Sequence, residues 1–114
     1  MIIEDLETYL SEIGIPFEVV KASNGQSYLV MKGFVIGGGS LAGRTCDVAV
    51  LRTTEQPWIP QAALQVRPVL VPMGQHNTQA SPLGSQWQYW SRRFDHPPTP
   101  KTFVAHIYTV LAEV

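Results

Sequence analysis

The sequence predicts an α+β domain in which two terminal helices pack on one face of an antiparallel sheet. Apolar residues recur at helical spacing over Ile2–Ile13 and again over Pro100–Ala112. Between these helices, segments rich in β-branched and aromatic residues follow one another with short links over Phe17–Leu51, which is typical of an antiparallel meander. A chain of 114 residues can bury one core but not two, so residues 1–114 are predicted to form a single domain.

Turn and capping residues define both helices. Acidic side chains in the first turns of Ile2–Ile13 favour the positive end of that helix dipole, and Gly14 and Pro16 end the helix. At the second helix, Thr99 is the predicted N-cap and Pro100 the first helical residue. His106 falls outside the main apolar stripe of this helix and is predicted to lie on the surface.

Three to four strands are predicted in the meander. Phe17–Val20 and Tyr28–Ile36 form a hairpin, and a strand from Arg44 to Leu51 is apolar on both alternating faces, as in the middle of a sheet. The segment Gln65–Pro72 contains two prolines and is interpreted as a short edge strand or an extended segment laid over the core. Gly37–Gly39 could suggest a phosphate cradle, but no Lys-Ser/Thr follows, so a hairpin loop is favoured.

A long polar loop precedes an aromatic segment. Met73–Ser85 is predicted to lie on the surface and to be functional or mobile, because long loops in small domains usually are. Trp87 and Trp90 are three residues apart, which would place them on one face of a helical turn. They are interpreted as core residues, with a partner-binding patch that includes Arg92 as the alternative. The aromatic segment and the last helix are predicted to pack on one face of the meander.

Composition limits the classes of function. A net charge of -1 gives no basic surface for nucleic acid, and no apolar run is long enough to cross a membrane. Cys46 is the only cysteine, so a reducing, cytoplasmic setting is expected, without disulfides. His76, His96 and His106 lack metal-site spacing, so neither a metal nor a cofactor is predicted.

Three stretches carry a resemblance to a known family. They are Phe34–Gly39 leading into Cys46–Leu51, Pro57–Pro60 leading to Val66–Pro68, and Trp87–Arg92 before the last helix. This order resembles the ubiquitin-conjugating (UBC) fold, and more closely the bacterial ubiquitin-conjugating-like proteins of prokaryotic family E. The resemblance implies a role in a bacterial ubiquitin-like protein conjugation pathway, often in anti-phage defence operons. It implies two partners, a ubiquitin-like protein and an activating enzyme.

The chemistry that the resemblance implies depends on a cysteine thiolate in the long loop, which carries the ubiquitin-like protein as a thioester. The loop here has no cysteine. The catalytic candidates are therefore Cys46, whose place in a strand favours a structural role, and His76 acting as a base for Ser81 or Ser85. Three alternatives remain: an active conjugating enzyme, an inactive variant that binds its partners non-covalently, and an unrelated small interaction domain.

Overall fold

The computed structural model describes all residues, Met1–Val114, and confirms the α+β class, with an N-terminal helix, an antiparallel sheet and a C-terminal helix. The elements in chain order are α1 (Ile3–Ile13), β1 (Phe17–Lys21), β2 (Ser27–Val35), β3 (Thr45–Leu51), β4 (Ala63–Arg67), β5 (Thr78–Ala80), β6 (Gln88–Ser91) and α2 (Pro100–Ala112). Both predicted helices are present, and α1 begins one residue later than predicted.

The sheet has six strands, more than the three to four expected, in the order β1-β2-β3-β4-β6-β5. Every neighbouring pair is antiparallel. The additional strands are β5, inside the segment predicted as a loop, and β6, inside the aromatic segment. Because β6 pairs with β4, the interpretation of Gln65–Pro72 as an edge strand is wrong. Leu70 and Val71, which follow β4, are buried in the core, in agreement with the alternative of an extended segment laid over it. The prolines Pro68 and Pro72 also follow β4, so they remove no ladder hydrogen bond.

Both helices cover the same face of the sheet, which we call the helix-covered face. Their apolar residues merge with alternate residues of the central strands into a core of 22 buried side chains, in which Trp90 and Phe103 are among the largest. A bidentate ion pair joins α1 to the end of β3, with Arg52 Nε 3.2 Å and Nη2 3.1 Å from the two oxygens of Glu7. The predicted cap of α2 is also present, because Thr99 Oγ1 accepts from Thr102 N at 3.2 Å.

The opposite side of the sheet, which we call the open face, carries no helix. It has a second, much smaller apolar cluster of four buried residues, namely Tyr28, Val30, Ala49 and Trp87. Partly buried Val20, Ala22, Leu51 and Leu83 pack around this cluster. The two faces alternate along each strand as period-two side chains require, so Val48 points to the helices and Ala49 to the open face.

The glycine-rich loop packs against the end of α2. Ser40 N donates to the carbonyl of Val114 at 2.6 Å. Gly39 has φ +73°, and a Cβ atom there would collide with the carbonyl oxygens of Ala112 and Val114. Glycine is therefore needed at this position for close packing as well as for its backbone conformation. This contact gives the glycines a structural role, in agreement with the hairpin-loop interpretation.

Candidate functional site

The loop histidine lies in a tight turn at the start of β5. His76 and Asn77 have φ of 54° and 57°, a left-handed conformation that asparagine adopts more easily than most residues. Thr78 closes the turn, because its N–H and its hydroxyl both donate to the carbonyl of Gln75, at 3.1 Å and 2.6 Å. The His76 side chain is exposed and makes no hydrogen bond with a protein group.

His76 makes no hydrogen bond with either candidate serine. Ser81 follows β5 whereas His76 precedes it, and three extended residues at about 3.3 Å each separate the two by roughly 10 Å. Ser81 Oγ accepts from Leu83 N at 3.1 Å, and Ser85 is exposed. No hydrogen bond joins His76 to either hydroxyl, so the loop contains no assembled pair of base and nucleophile.

Cys46 is buried in β3, as its place in the strand predicted. Its side chain belongs to the core under the helices and is 3% exposed. Burial, reinforced by the neighbouring charge of Asp47, raises the pKa of the Cys46 thiol to about 12. At neutral pH the group is therefore a protonated thiol, which is a poor nucleophile.

The open face contains a polar group that the sequence analysis did not identify. Arg67 Nη2 lies 2.7 Å from Asp47 Oδ2, and the guanidinium carbon is 4.4 Å from the ring centroid of Trp87. The other oxygen of Asp47 accepts from Gly33 N at 3.1 Å, where β2 has an irregular register. A cleft of about 210 Å³ lies beside this group, and Pro68 is among its lining residues. A charged residue inside an otherwise apolar strand, as at Asp47, was the available signal.

The prediction that Trp87 and Trp90 share a face is wrong. The segment is a strand rather than a helical turn, so residues three apart point to opposite sides of the sheet. Trp90 is fully buried in the core under the helices, and Trp87 belongs to the open-face cluster. As a result, only part of the aromatic segment packs with α2, and the two tryptophans cannot form one binding patch.

Arg92 lies near the end of α2. Its Nε is 3.9 Å from Glu113 Oε2, its Nη1 donates to the carbonyl of Ser91 at 2.8 Å, and its side chain is 16% exposed. The guanidinium carbon is 5.4 Å from the Trp90 ring centroid. The structure therefore gives this residue packing contacts, in addition to the partner-binding role considered from the sequence.

Gln88 is a buried polar residue whose role the sequence did not predict. Its Oε1 accepts from Trp90 Nε1 at 3.0 Å and from Leu70 N at 3.4 Å, and its Nε2 donates to Val71 O at 2.9 Å. These bonds fix the segment after β4 against β6. The side-chain amide of glutamine has an oxygen that can accept two hydrogen bonds and an NH₂ group that can donate two. The bonds that Gln88 makes therefore satisfy its polar atoms at a fully buried position.

Two further properties of the chain concern ligands and membranes. No group of three or more His, Cys, Asp or Glu side chains is placed to hold a metal ion. Neither helix has the length and apolar character needed to span a bilayer.

A helix, an antiparallel sheet and a C-terminal helix in this order define the class of UBC-like α+β domains. The family described as Prokaryotic E2 family E matches residues 2–114, so the chain belongs to that family. Comparisons with curated proteins and with solved structures find no significant match. Membership of an E2-like family indicates a component of a ubiquitin-like conjugation pathway.

Proposed function

We propose that this chain acts in a bacterial ubiquitin-like conjugation pathway as a binding component. It holds the ubiquitin-like protein or its activating enzyme without a covalent bond. The family match supports the pathway, because E2-like proteins interact with both partners. The observation that carries the non-covalent role is the state of Cys46, the only thiol of the chain, which is buried and has a pKa of about 12.

A thioester at Cys46 would require a buried thiol to become accessible, although Cys46 is among the residues that line the cleft beside Asp47 and Arg67. The thiol points into the core under the helices, and its strand pairs with β2 on one side and β4 on the other. The carbonyl carbon of an incoming ubiquitin-like protein would have to reach the thiol of a residue that is only 3% exposed. Deprotonation of the thiol near neutral pH is also strongly unfavourable, since one pKa unit corresponds to about 1.4 kcal/mol.

An oxyester in the long loop lacks a base. A serine hydroxyl becomes a useful nucleophile when a neighbouring base takes its proton. The only loop histidine, His76, is separated from Ser81 by the whole of β5, and neither Ser81 nor Ser85 contacts an imidazole. The loop geometry therefore supports a role in binding rather than in transfer.

Reconstitution tests this proposal. The chain is mixed with ATP and with an activating enzyme and a ubiquitin-like protein from the same organism, and the products are separated on non-reducing gels. We expect no covalent adduct, while calorimetry with each protein detects binding that Cys46→Ala leaves unchanged. An adduct that disappears in Cys46→Ala would contradict the proposal and make the chain a conjugating enzyme.

Variants of Ser81 and Ser85 test whether an oxyester forms in the loop. An adduct that persists in Cys46→Ala but is lost in Ser81→Ala or Ser85→Ala would establish an oxyester and also overturn the proposal. The absence of both an adduct and measurable binding would remove the pathway role itself. Gln79→Ala, an exposed change on β5 between the candidate residues, is the matched control and should behave as the unmodified chain.

The accessibility of Cys46 can be measured without partners. A thiol-reactive dye should label the native protein at least about 100-fold more slowly than the denatured protein, because both burial and the raised pKa suppress the thiolate. Labelling at the same rate in both states would mean that β3 opens readily. Thioester chemistry at Cys46 would then be feasible.

A further inference from the structure

The chain between β6 and α2 is held to the last helix by aromatic rings. We call residues 92–99 the strap. The ring of Phe94 lies edge-on to Phe103 and to His106, with centroids 5.4 Å and 5.2 Å away. His96, also in the strap, lies 5.7 Å from Phe94. This cluster and the hydrogen bonds of Thr102 with Pro97 and Thr99 attach the strap to α2.

His106 enters this cluster as a buried imidazole, which corrects the prediction that it lies on the surface. It is 9% exposed because Phe94 covers it, and its ring stacks on Phe103 at 6.2 Å. Neither ring nitrogen makes a hydrogen bond within the protein. Burial lowers the pKa of His106, the nearby His96 lowers it further, and Glu113 and Asp95 oppose these effects.

The charged groups around His106 do little to stabilise the protonated form of its ring. His96 is the nearest, with its ring centroid 6.4 Å away. The carboxylates already have cationic partners, since Asp95 lies 2.7 Å from Arg93 and Glu113 lies 3.9 Å from Arg92. A second positive charge in the pair would therefore meet a like charge across a short gap.

The hydroxyls of the neighbouring cleft are also engaged. The cleft measures about 210 Å³ and is lined by His96, Thr102, Ala105, His106 and Thr109. The hydroxyl of Thr102 donates to the carbonyl of Pro97 at 2.6 Å, and that of Thr109 donates to Ala105 O at 3.0 Å. Because both imidazoles line this cleft, water and protons can reach the His106 ring while the strap is still attached.

We propose that His106, packed between Phe94 and Phe103 and beside His96, forms a pH-sensitive latch that fixes the strap to α2 when the His106 ring is neutral and releases the strap when that ring is protonated. Release exposes Phe94 and Phe103 and frees the chain that links the sheet to the last helix. The rest of the core keeps its structure, because its side chains include no carboxyl and no imidazole group. The latch does not depend on the proposed function.

The direction of the pH effect follows from the lowered pKa of His106. A group whose pKa is depressed in the attached state binds a proton more readily when the strap is detached. The stabilising contribution of neutral His106 is complete above the ordinary histidine pKa of about 6.5 and is lost as the pH falls through the lowered value. Release should therefore occur on the acidic side of neutrality.

Amide hydrogen exchange, followed by NMR at pH 7.5 and pH 5.5 and corrected for intrinsic rates, tests the latch. The hydrogen-bonded strap amides, those of Arg92 and Thr99, which donate to Ala62 O at 3.0 Å and to Pro97 O at 2.9 Å, should lose up to about tenfold protection at the lower pH. Tenfold is the limit for one histidine of ordinary pKa about 6.5 that stays neutral in the attached state at pH 5.5. Core amides such as that of Val48 should keep their protection. A loss below twofold in the strap, or an equal loss in the core, would overturn the latch.

Three variants make the test specific. His106→Phe keeps an aromatic ring without a titratable nitrogen, so the strap amides should respond less than twofold to pH. His96→Asn removes the opposing charge from an exposed position and should also reduce the response. His76→Asn is the control, because His76 is exposed and lies outside both the strap and α2. This variant should leave the response of the strap amides to pH unchanged. An undiminished response in His106→Phe, or in His96→Asn if that first variant does not fold, would refute the mechanism.

Discussion

The two faces of the sheet are stabilised in different ways although the same strands supply both. On the helix-covered face, side chains from both helices and the central strands form one continuous apolar core. On the open face, four buried residues and the ion pair of Asp47 with Arg67 cover the strands. The ion pair keeps part of its contact with water, with side chains 25% and 33% exposed. On the open face, the Trp87 ring and the Arg67 side chain that lies over it therefore cover strands that no helix covers.

Trp90 and Trp87 make this difference measurable, because they lie close together in sequence but on opposite faces. Trp90 is fully buried and donates its indole N–H to Gln88. Trp87 is 5% exposed, and one side of its ring is covered by the Arg67 guanidinium rather than by hydrocarbon. Replacing each tryptophan by alanine therefore compares two cavities. The one left by Trp90 is enclosed in the core, whereas the one left by Trp87 is next to solvent.

The largest effect is expected for Trp90→Ala. The change leaves a cavity under both helices and removes the hydrogen bond to Gln88, so the loss should reach the upper part of the usual range, about 4–5 kcal/mol. Domains of this size have about 5–15 kcal/mol in total. Urea unfolding followed by circular dichroism measures the loss. A cost below about 2 kcal/mol would mean that the core rearranges freely around this position.

A smaller effect is expected for Trp87→Ala, about 2–3 kcal/mol, because solvent and the long Arg67 side chain can fill part of the space. The same urea titration gives the value. The comparison of the two faces fails if Trp87→Ala costs as much as Trp90→Ala. Trp87→Phe provides the matched control, since it keeps a ring beside Arg67 and should recover most of the loss.

The smallest effect is expected for Arg92→Ala, about 1 kcal/mol, from a partly exposed ion pair and packing over Trp90. The contact of Arg92 with Glu113 is the reason to expect an effect on stability. Arg93→Ala is the matched control, because Arg93 is 83% exposed in its side chain and pairs only with Asp95. Equal melting temperatures for both variants would remove the structural role of Arg92.

Local signals in the sequence were sufficient for the helices and the first three strands. The apolar spacing and the capping residues of α1 and α2 are encoded within a few neighbouring positions, and Gly14 and Thr99 act as expected. The hairpin of β1 and β2 likewise follows from its alternating residues and the Asn24-Gly25 turn. The burial of Cys46 could be predicted for the same reason, since its neighbours Val48 and Val50 share its face.

The rest of the fold depends on pairings between distant residues. β5 has only three residues, Thr78–Ala80, with no apolar alternation, and it is a strand because β6 lies beside it. Trp87 immediately precedes β6 and Trp90 lies within it, and their spacing is also that of one face of a helical turn. Only the pairing of β6 with β4 shows that this segment is extended and that the two rings lie on opposite faces of the sheet. The burial of His106 depends on Phe94 folding back from another segment. Sequence periodicity contains no information about such contacts.

The position of β6 between β4 and β5 has a consequence for the order of folding during synthesis. Until Ser91 has been made, β4 has no partner on one side, and its apolar residues Leu64 and Val66 lie on an open edge. Unpaired apolar edges pair with other chains, so the nascent protein is most prone to aggregation in this interval. The hairpin of β5 and β6 forms from neighbouring residues and can close that edge as a unit once it emerges.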